Sequence, residues 1–148
     1  MKRTGISAFV FGMLLAVSAV SASAQSLRSV AEAKIPFGFR VGDASLPAGE
    51  YSILTNGSGM VLIRNDQAKK GVFALGNTRV PASEAPAQLV FNRYGEDYFL
   101  SQVDLFGDST ISLVPSKVER EHRQNASKSV AEAARQPEVV QIALSTVR

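Results

Sequence analysis

Residues 88–105, QLVFNRYGEDYFLSQVDL, decide the fold. The runs Gln88 to Tyr94 and Tyr98 to Leu105 are rich in aromatic and β-branched residues and meet at Gly95-Glu96, which predicts a β-hairpin. In a two-residue turn Phe91 faces Leu100 and Arg93 faces Tyr98. Apolar side chains then fall on both faces, with Leu89, Phe91 and Leu100 on one and Val90, Phe99 and Val103 on the other. A hairpin buried on both sides belongs in the middle of its sheet. The expected fold is therefore mainly β, an antiparallel β-sandwich or small barrel of about seven to eight strands.

The flanking sequence extends the pattern on both sides. From Ala31 to Val41 the odd positions are Ala, Ala, Ile, Phe, Phe and Val, and the even ones are Glu, Lys, Pro, Gly and Arg. Alternation with period two predicts a strand with one buried face. Pro36, lacking an N–H, places it on an edge or at a bulge. A short helix starting at Ser29, with Glu32 at capping-box spacing, is the competing reading. Leu46-Pro47-Ala48-Gly49 reads as a tight turn. Asn56-Gly57-Ser58-Gly59 is the strongest reversal signal, so Tyr51 to Thr55 should pair with Met60 to Arg64. After a polar turn at Asn65 to Gly71, Val72 to Leu75 is a further strand, followed by the loop from Pro81 to Pro86. Gly107-Asp108-Ser109 turns into a short strand, Thr110 to Val114.

The period changes at Pro115. Ser116 with Glu119 three residues later is a capping box, and residues 116–136 are mostly helix formers, which predicts a C-terminal α-helix. Glu119 and Arg123 lie one turn apart with opposite charge. Val118, Ala126, Val130 and Ala133 make only a thin apolar stripe, interrupted by His122, so much of the helix should face water. Pro137 ends it, and residues 138–145 read as a closing strand. Ser-Val-Ala-Glu-Ala occurs at both 29–33 and 129–133, but the flanks do not repeat, so it is not a duplicated unit.

The first 24 residues have the parts of a secretory signal peptide: Lys2 and Arg3, an apolar run from Ile6 to Val20, and Ala22-Ser23-Ala24 before Gln25. The alternative, a retained anchor, is disfavoured because that run is shorter than the roughly 20 residues that span hydrocarbon. Cleavage after Ala24 leaves a single β-rich domain at 25–148, without a membrane span, in the periplasm or outside the cell. It has no Cys, so burial alone must hold it together. Without Lys2 and Arg3, fourteen basic residues face thirteen acidic ones, too even a balance to bind nucleic acid phosphates.

Specific chemistry is sparse. With no thiol and a single His, no metal site is expected, and His122 among Glu119, Arg120, Glu121 and Arg123 reads as a solvated residue. Asp104 and Asp108 lack the dense ligand series of a calcium loop. No Gly-x-Ser-x-Gly elbow or phosphate-binding Gly motif is present. Glu96 and Asp97, adjacent at a hairpin tip, point to opposite faces and stay hydrated, unsuited to glycoside hydrolysis. No catalytic residue and no cofactor are therefore assigned. Most aromatic side chains should be core. Arg93, Tyr94 and Tyr98 are the candidate ligand-binding residues, two rings with hydroxyls beside a guanidinium.

Several segments taken together resemble one group of proteins: Ile35-Pro36-Phe37, Val41-Gly42-Asp43, Leu46-Pro47-Ala48-Gly49-Glu50-Tyr51, Phe91-Asn92-Arg93-Tyr94-Gly95, Tyr98-Phe99-Leu100-Ser101 and Ser116 to Glu121. The chain resembles small, uncharacterised exported proteins common in soil Acidobacteria, in the same motif order over nearly all of residues 25–148. The resemblance implies export and carries no activity, cofactor or catalytic residue with it. The expected function is that of a non-catalytic binding or structural module of the cell envelope or secretome, with an envelope protein or polysaccharide as partner. The alternative is a carrier or enzyme for a small molecule or carbohydrate, with its cleft inside the barrel. A third reading has the charged helix, Lys117 to Arg135, bind a protein partner.

Overall fold

The computed structural model describes residues 28–80, 86–106, 109–129 and 137–146. The expected leader, residues 81–85 of the Pro and Ala loop, Gly107 and Asp108 of the expected turn, and positions 130–136 of the expected helix lie outside these.

Over the described residues the protein is mainly β with one helix. Its elements are β1 (Arg28–Ile35), β2 (Phe39–Val41), β3 (Ala44–Leu46), β4 (Gly49–Thr55), β5 (Met60–Asn65), β6 (Lys70–Arg79), β7 (Gln88–Tyr94), β8 (Asp97–Asp104), β9 (Thr110–Leu113), α1 (Lys117–Ser129), β10 (Glu138–Ala143) and β11 (Ser145–Thr146). The strands pair in the order β10-β7-β8-β9-β6-β5-β4-β1-β11, while β2 pairs with β3 and β8. Among the described residues eleven strands replace the expected seven or eight, because two single runs in the sequence are divided between neighbours and Ala44–Leu46 adds a short strand that the sequence reading did not mark.

The first division is at Pro36. β1 pairs antiparallel with β4 and stops at Ile35, whereas β2 resumes at Phe39 and joins β3 and, in parallel, β8. The absent N–H at Pro36 ends one ladder, and the strand expected over 31–41 becomes two. The last segment is divided in the same way. β10 pairs with β7, Leu144 donates its N–H to the Ala87 carbonyl at 2.9 Å, and β11 then pairs with β1. The two ends of the strand order are thus consecutive in the chain, although the hydrogen-bonded path itself is open.

β6 carries the middle of the structure. Its first half, to Leu75, pairs with β5, and its second half, from Gly76, pairs with β9. Gly76 also donates its N–H to the Gly59 carbonyl at 2.9 Å. A Cβ at Gly76 would lie 2.5 Å from the Ser112 carbonyl oxygen. Only glycine permits that approach.

The reversal at 56–59 forms as read. The Thr55 hydroxyl donates to the Met60 carbonyl at 2.9 Å, and Gly57 and Gly59 take φ of 75° and 86°. The turn after Leu46 is tied by the Tyr51 hydroxyl, which donates to the Pro47 carbonyl at 2.6 Å.

Inward positions of β1, β4, β5, β7, β8 and β9 fill one core, in which Phe91 meets Phe37 and Phe39 edge to face at 5.3 and 5.4 Å. The β7–β8 register matches the expected pairs Phe91–Leu100 and Arg93–Tyr98 at the tip. Further along, a bulge at Ser101, whose hydroxyl donates to the Val90 carbonyl at 3.0 Å, shifts the ladder. Val103 therefore pairs with Leu89 and joins the core, not the face of Phe99 as strict alternation required.

Candidate functional site

The β7–β8 hairpin turns through Gly95, at a φ of 64°, and presents its two faces to different surroundings. On the core side Arg93 lies opposite Tyr98, its guanidinium 5.4 Å from the ring centroid. Tyr98 in turn stacks on Phe37 at 4.0 Å. The arginine is held firmly: Nε donates to the Gly95 carbonyl at 2.7 Å and a terminal nitrogen donates to Glu138 on β10 at 3.1 Å. This column of guanidinium and rings ties the hairpin tip to β10.

On the opposite face lies α1. Its start follows from the sequence, since the Ser116 hydroxyl accepts from the Glu119 N–H at 3.1 Å as an N-cap. Glu119 does not complete the capping box. Its carboxylate is turned onto the sheet, only 5% exposed, and accepts from the Asn92 side-chain amide at 2.9 Å. One turn further on, His122 Nδ1 lies 3.4 Å from Asp97 Oδ2, and its ring is 5.4 Å from buried Phe99. His122 is thus half-buried on the packing face of the helix, not solvated as expected from its charged neighbours. Position 122 falls on the same helical stripe as 118, 119 and 126, where the polar Glu119 and His122 stand between the apolar Val118 and Ala126.

Arg93 and Tyr98 are therefore brought together, whereas Tyr94 is on the other face, against Phe99 at 5.8 Å. The three sequence candidates do not converge on a common space. Among the described residues, no group of three or more His, Asp or Glu side chains is arranged to hold a metal ion.

A different set of polar groups does converge. An open groove of about 360 Å³ runs along the outer side of β1 and β4, lined by Glu32, Lys34, Glu50, Ser52, Ser145 and the β5–β6 turn residues Asp66 and Gln67. Register sets Lys34 opposite Glu50 and Glu32 opposite Ser52. Ser145 on β11 donates to the Glu32 carbonyl at 3.2 Å, while Asp66 pairs with Arg64 at 2.7 Å. Alternation had marked Glu32 and Lys34 as outward. It gave no sign that residues 50, 66 and 145 would join them, because that depends on long-range pairing.

Two tyrosines give the structure an alkaline limit. Burial pushes the Tyr51 phenol above the ordinary 10.0, with an Asn65 hydrogen bond acting the other way. Tyr94 is also raised, first by burial and then by the Glu119 carboxylate, against an opposing effect of Arg123. A raised folded-state pKa means that the folded protein holds the proton more tightly. The associated stability is complete below pH 10 and is lost as pH rises beyond it. Phenolate absorbance titrations of the protein, Tyr51→Phe and Tyr94→Phe should assign two ionisations above pH 10, accompanied by loss of near-ultraviolet circular dichroism. Ionisation of both at the ordinary value with the fold intact would refute the assignment.

Comparison with known proteins finds no matching family model, no similar curated protein and no similar solved structure.

Proposed function

We propose that the chain is an exported, non-catalytic binding module that holds an envelope polysaccharide along the outer groove of β1 and β4. The observation that carries this reading is the convergence of seven polar side chains, drawn from four separate parts of the chain, on one open groove. Carboxylates, an amide, hydroxyls and an ammonium in one line suit a ligand rich in hydroxyl groups, and an open trough suits a polymer better than an enclosed small molecule. The leader pattern of residues 1–24 supports export. The groups that could do acid–base work, Glu119, His122 and Asp97, are engaged in holding α1 to the sheet. The space between the strands is taken by Phe39, Tyr51, Phe91 and their neighbours, which favours a surface site over an internal cleft.

Titration calorimetry against soluble fragments of peptidoglycan and of envelope polysaccharide tests the proposal. Glu50→Gln with Asp66→Asn should weaken binding at least tenfold, because each removes a charge-assisted acceptor worth about 1.5–3 kcal/mol. Tyr94→Phe should leave binding unchanged. Binding indifferent to the groove variants, or release of new reducing ends from the ligand, would overturn the reading.

A further inference from the structure

The outer surface of the same sheet changes character beyond β4. Side chains alternate along β6, and since Val72 and Ala74 pack on the core, Phe73 and Leu75 point outward. They are 62% and 68% exposed. Register sets Leu62 of β5 beside Phe73, Leu54 of β4 beside Leu62, and Met60 beside Leu75. The result is an apolar row that is open on β5 and β6 and covered at its β4 end, where Leu54 is buried, with two large side chains protruding from it about 7 Å apart.

Charge frames this row. Lys69 and Lys70 are exposed at one end of β6 and Arg79 at the other, and β6 contains no acidic residue. The nearby Asp66 is paired with Arg64. Glu32 and Glu50 belong to the polar groove on β1 and β4, where Lys34 stands opposite Glu50.

We propose that the β5–β6 face docks on an anionic lipid bilayer, Phe73 and Leu75 entering the interfacial zone while Lys69 and Arg79 meet headgroup phosphates. An apolar centre with cationic ends complements a surface whose apolar layer lies beneath anionic groups. The geometry fits a protein partner less well. β6 has one ladder in each half, with β5 to Leu75 and with β9 from Gly76, and a strand added at the open edge of residues 70–75 would lie in the plane of the sheet and leave Phe73 and Leu75 uncovered. The two protruding side chains would need matching pockets on a protein, whereas a fluid lipid interface requires no matched shape. This inference concerns a different surface from the groove and does not rest on the polysaccharide reading.

The chain contains no tryptophan, so Phe73→Trp or Leu75→Trp places a single indole at the proposed contact. The probes are vesicles of phosphatidylcholine alone or mixed with phosphatidylglycerol, each carrying a nitroxide-labelled lipid. Both variants should shift their emission to the blue and be quenched on the mixed vesicles. Val139→Trp, at a position 56% exposed on β10, should not. Omitting phosphatidylglycerol should reduce partitioning at least tenfold. Lys69→Glu combined with Arg79→Glu should do the same, each basic group being worth roughly fivefold near an anionic surface.

Quenching at a chosen position, not co-sedimentation, is the readout, because the apolar run Ile6 to Val20 can hold the full chain on a bilayer by itself. Vesicle binding without quenching at positions 73 and 75 would overturn the proposal. So would equal binding to neutral vesicles, or a blue shift that grows with protein concentration and needs no lipid, which would mark the face as a contact between two copies.

Discussion

Phe91→Ala is expected to lower the free energy of unfolding by about 3–5 kcal/mol, the largest effect of any single truncation in the chain. The ring is fully buried and makes edge-to-face contacts with Phe37 and Phe39, and Phe39 makes a further one with Tyr51 at 5.1 Å. These rings come from β7, β2, the segment before β2, and β4, which are not adjacent in the strand order. Their neighbours are fixed by backbone pairing in opposite halves of the structure, so the cavity left by truncation cannot easily collapse. Domains of this size are stable by only about 5–15 kcal/mol, so the loss is a large share of the total. Urea denaturation should show a lower midpoint with an unchanged slope. Phe73→Ala is the control, a truncation of the same ring where it projects into solvent, and should stay within about 0.5 kcal/mol of the parent. Equal effects at the two positions would mean that the ring cluster is not the centre of the core.

Local signals in the sequence foretold local structure well. The hairpin tip at Gly95 and the reversal at Asn56 to Gly59 each depend on a few adjacent residues and form as read, whereas at Ser116 only the hydroxyl half of the capping box forms, because the Glu119 carboxylate is drawn to Asn92. What the sequence concealed depends on distant partners. No pattern at Ser101 marks a bulge, yet that bulge decides which face Val103 occupies. His122 looked solvated because charged residues surround it in sequence, but in three dimensions Asp97 and Phe99 are its neighbours. The candidate site was hidden for the same reason. Tyrosines near a turn attract attention, whereas Glu32, Glu50, Asp66 and Ser145 look like ordinary outward positions until the β1–β4 and β1–β11 pairings bring them together. The exposure of Phe73 and Leu75 was equally illegible. The run from Val72 to Leu75 reads only as a further strand, apolar at every position, and which of its side chains face outward emerges only because no layer covers Phe73 and Leu75 among the described residues.

The hand-over in β6 makes the second large effect a backbone one. Gly76→Ala should cost about 3 kcal/mol, at the upper end of what overpacking usually does, and Gly76→Val should prevent folding. A methyl group there would lie 2.5 Å from the Ser112 carbonyl oxygen and 2.8 Å from Ile111 Cγ2, while the Gly76 N–H is already committed to Gly59. Relief by moving β9 would break its pairing with β8, and relief by moving β6 would pull Gly76 from Gly59, so neither side yields cheaply. Gly71→Ala, five residues earlier on the same strand, is the matched comparison. The one close contact of its new methyl would be the end of the half-exposed Leu62 side chain at 3.3 Å, which can rotate away, the next atoms lying at an ordinary 3.7 Å. It also gains from a less mobile unfolded chain, so it should remain within about 1 kcal/mol of the parent. Thermal unfolding of the two variants side by side separates a loss of glycine flexibility, common to both, from the close backbone crossing found only at Gly76. Equal melting temperatures would show that β6 can pass from β5 to β9 with room for a side chain, and the strand order through the middle of the sheet would have to be redrawn.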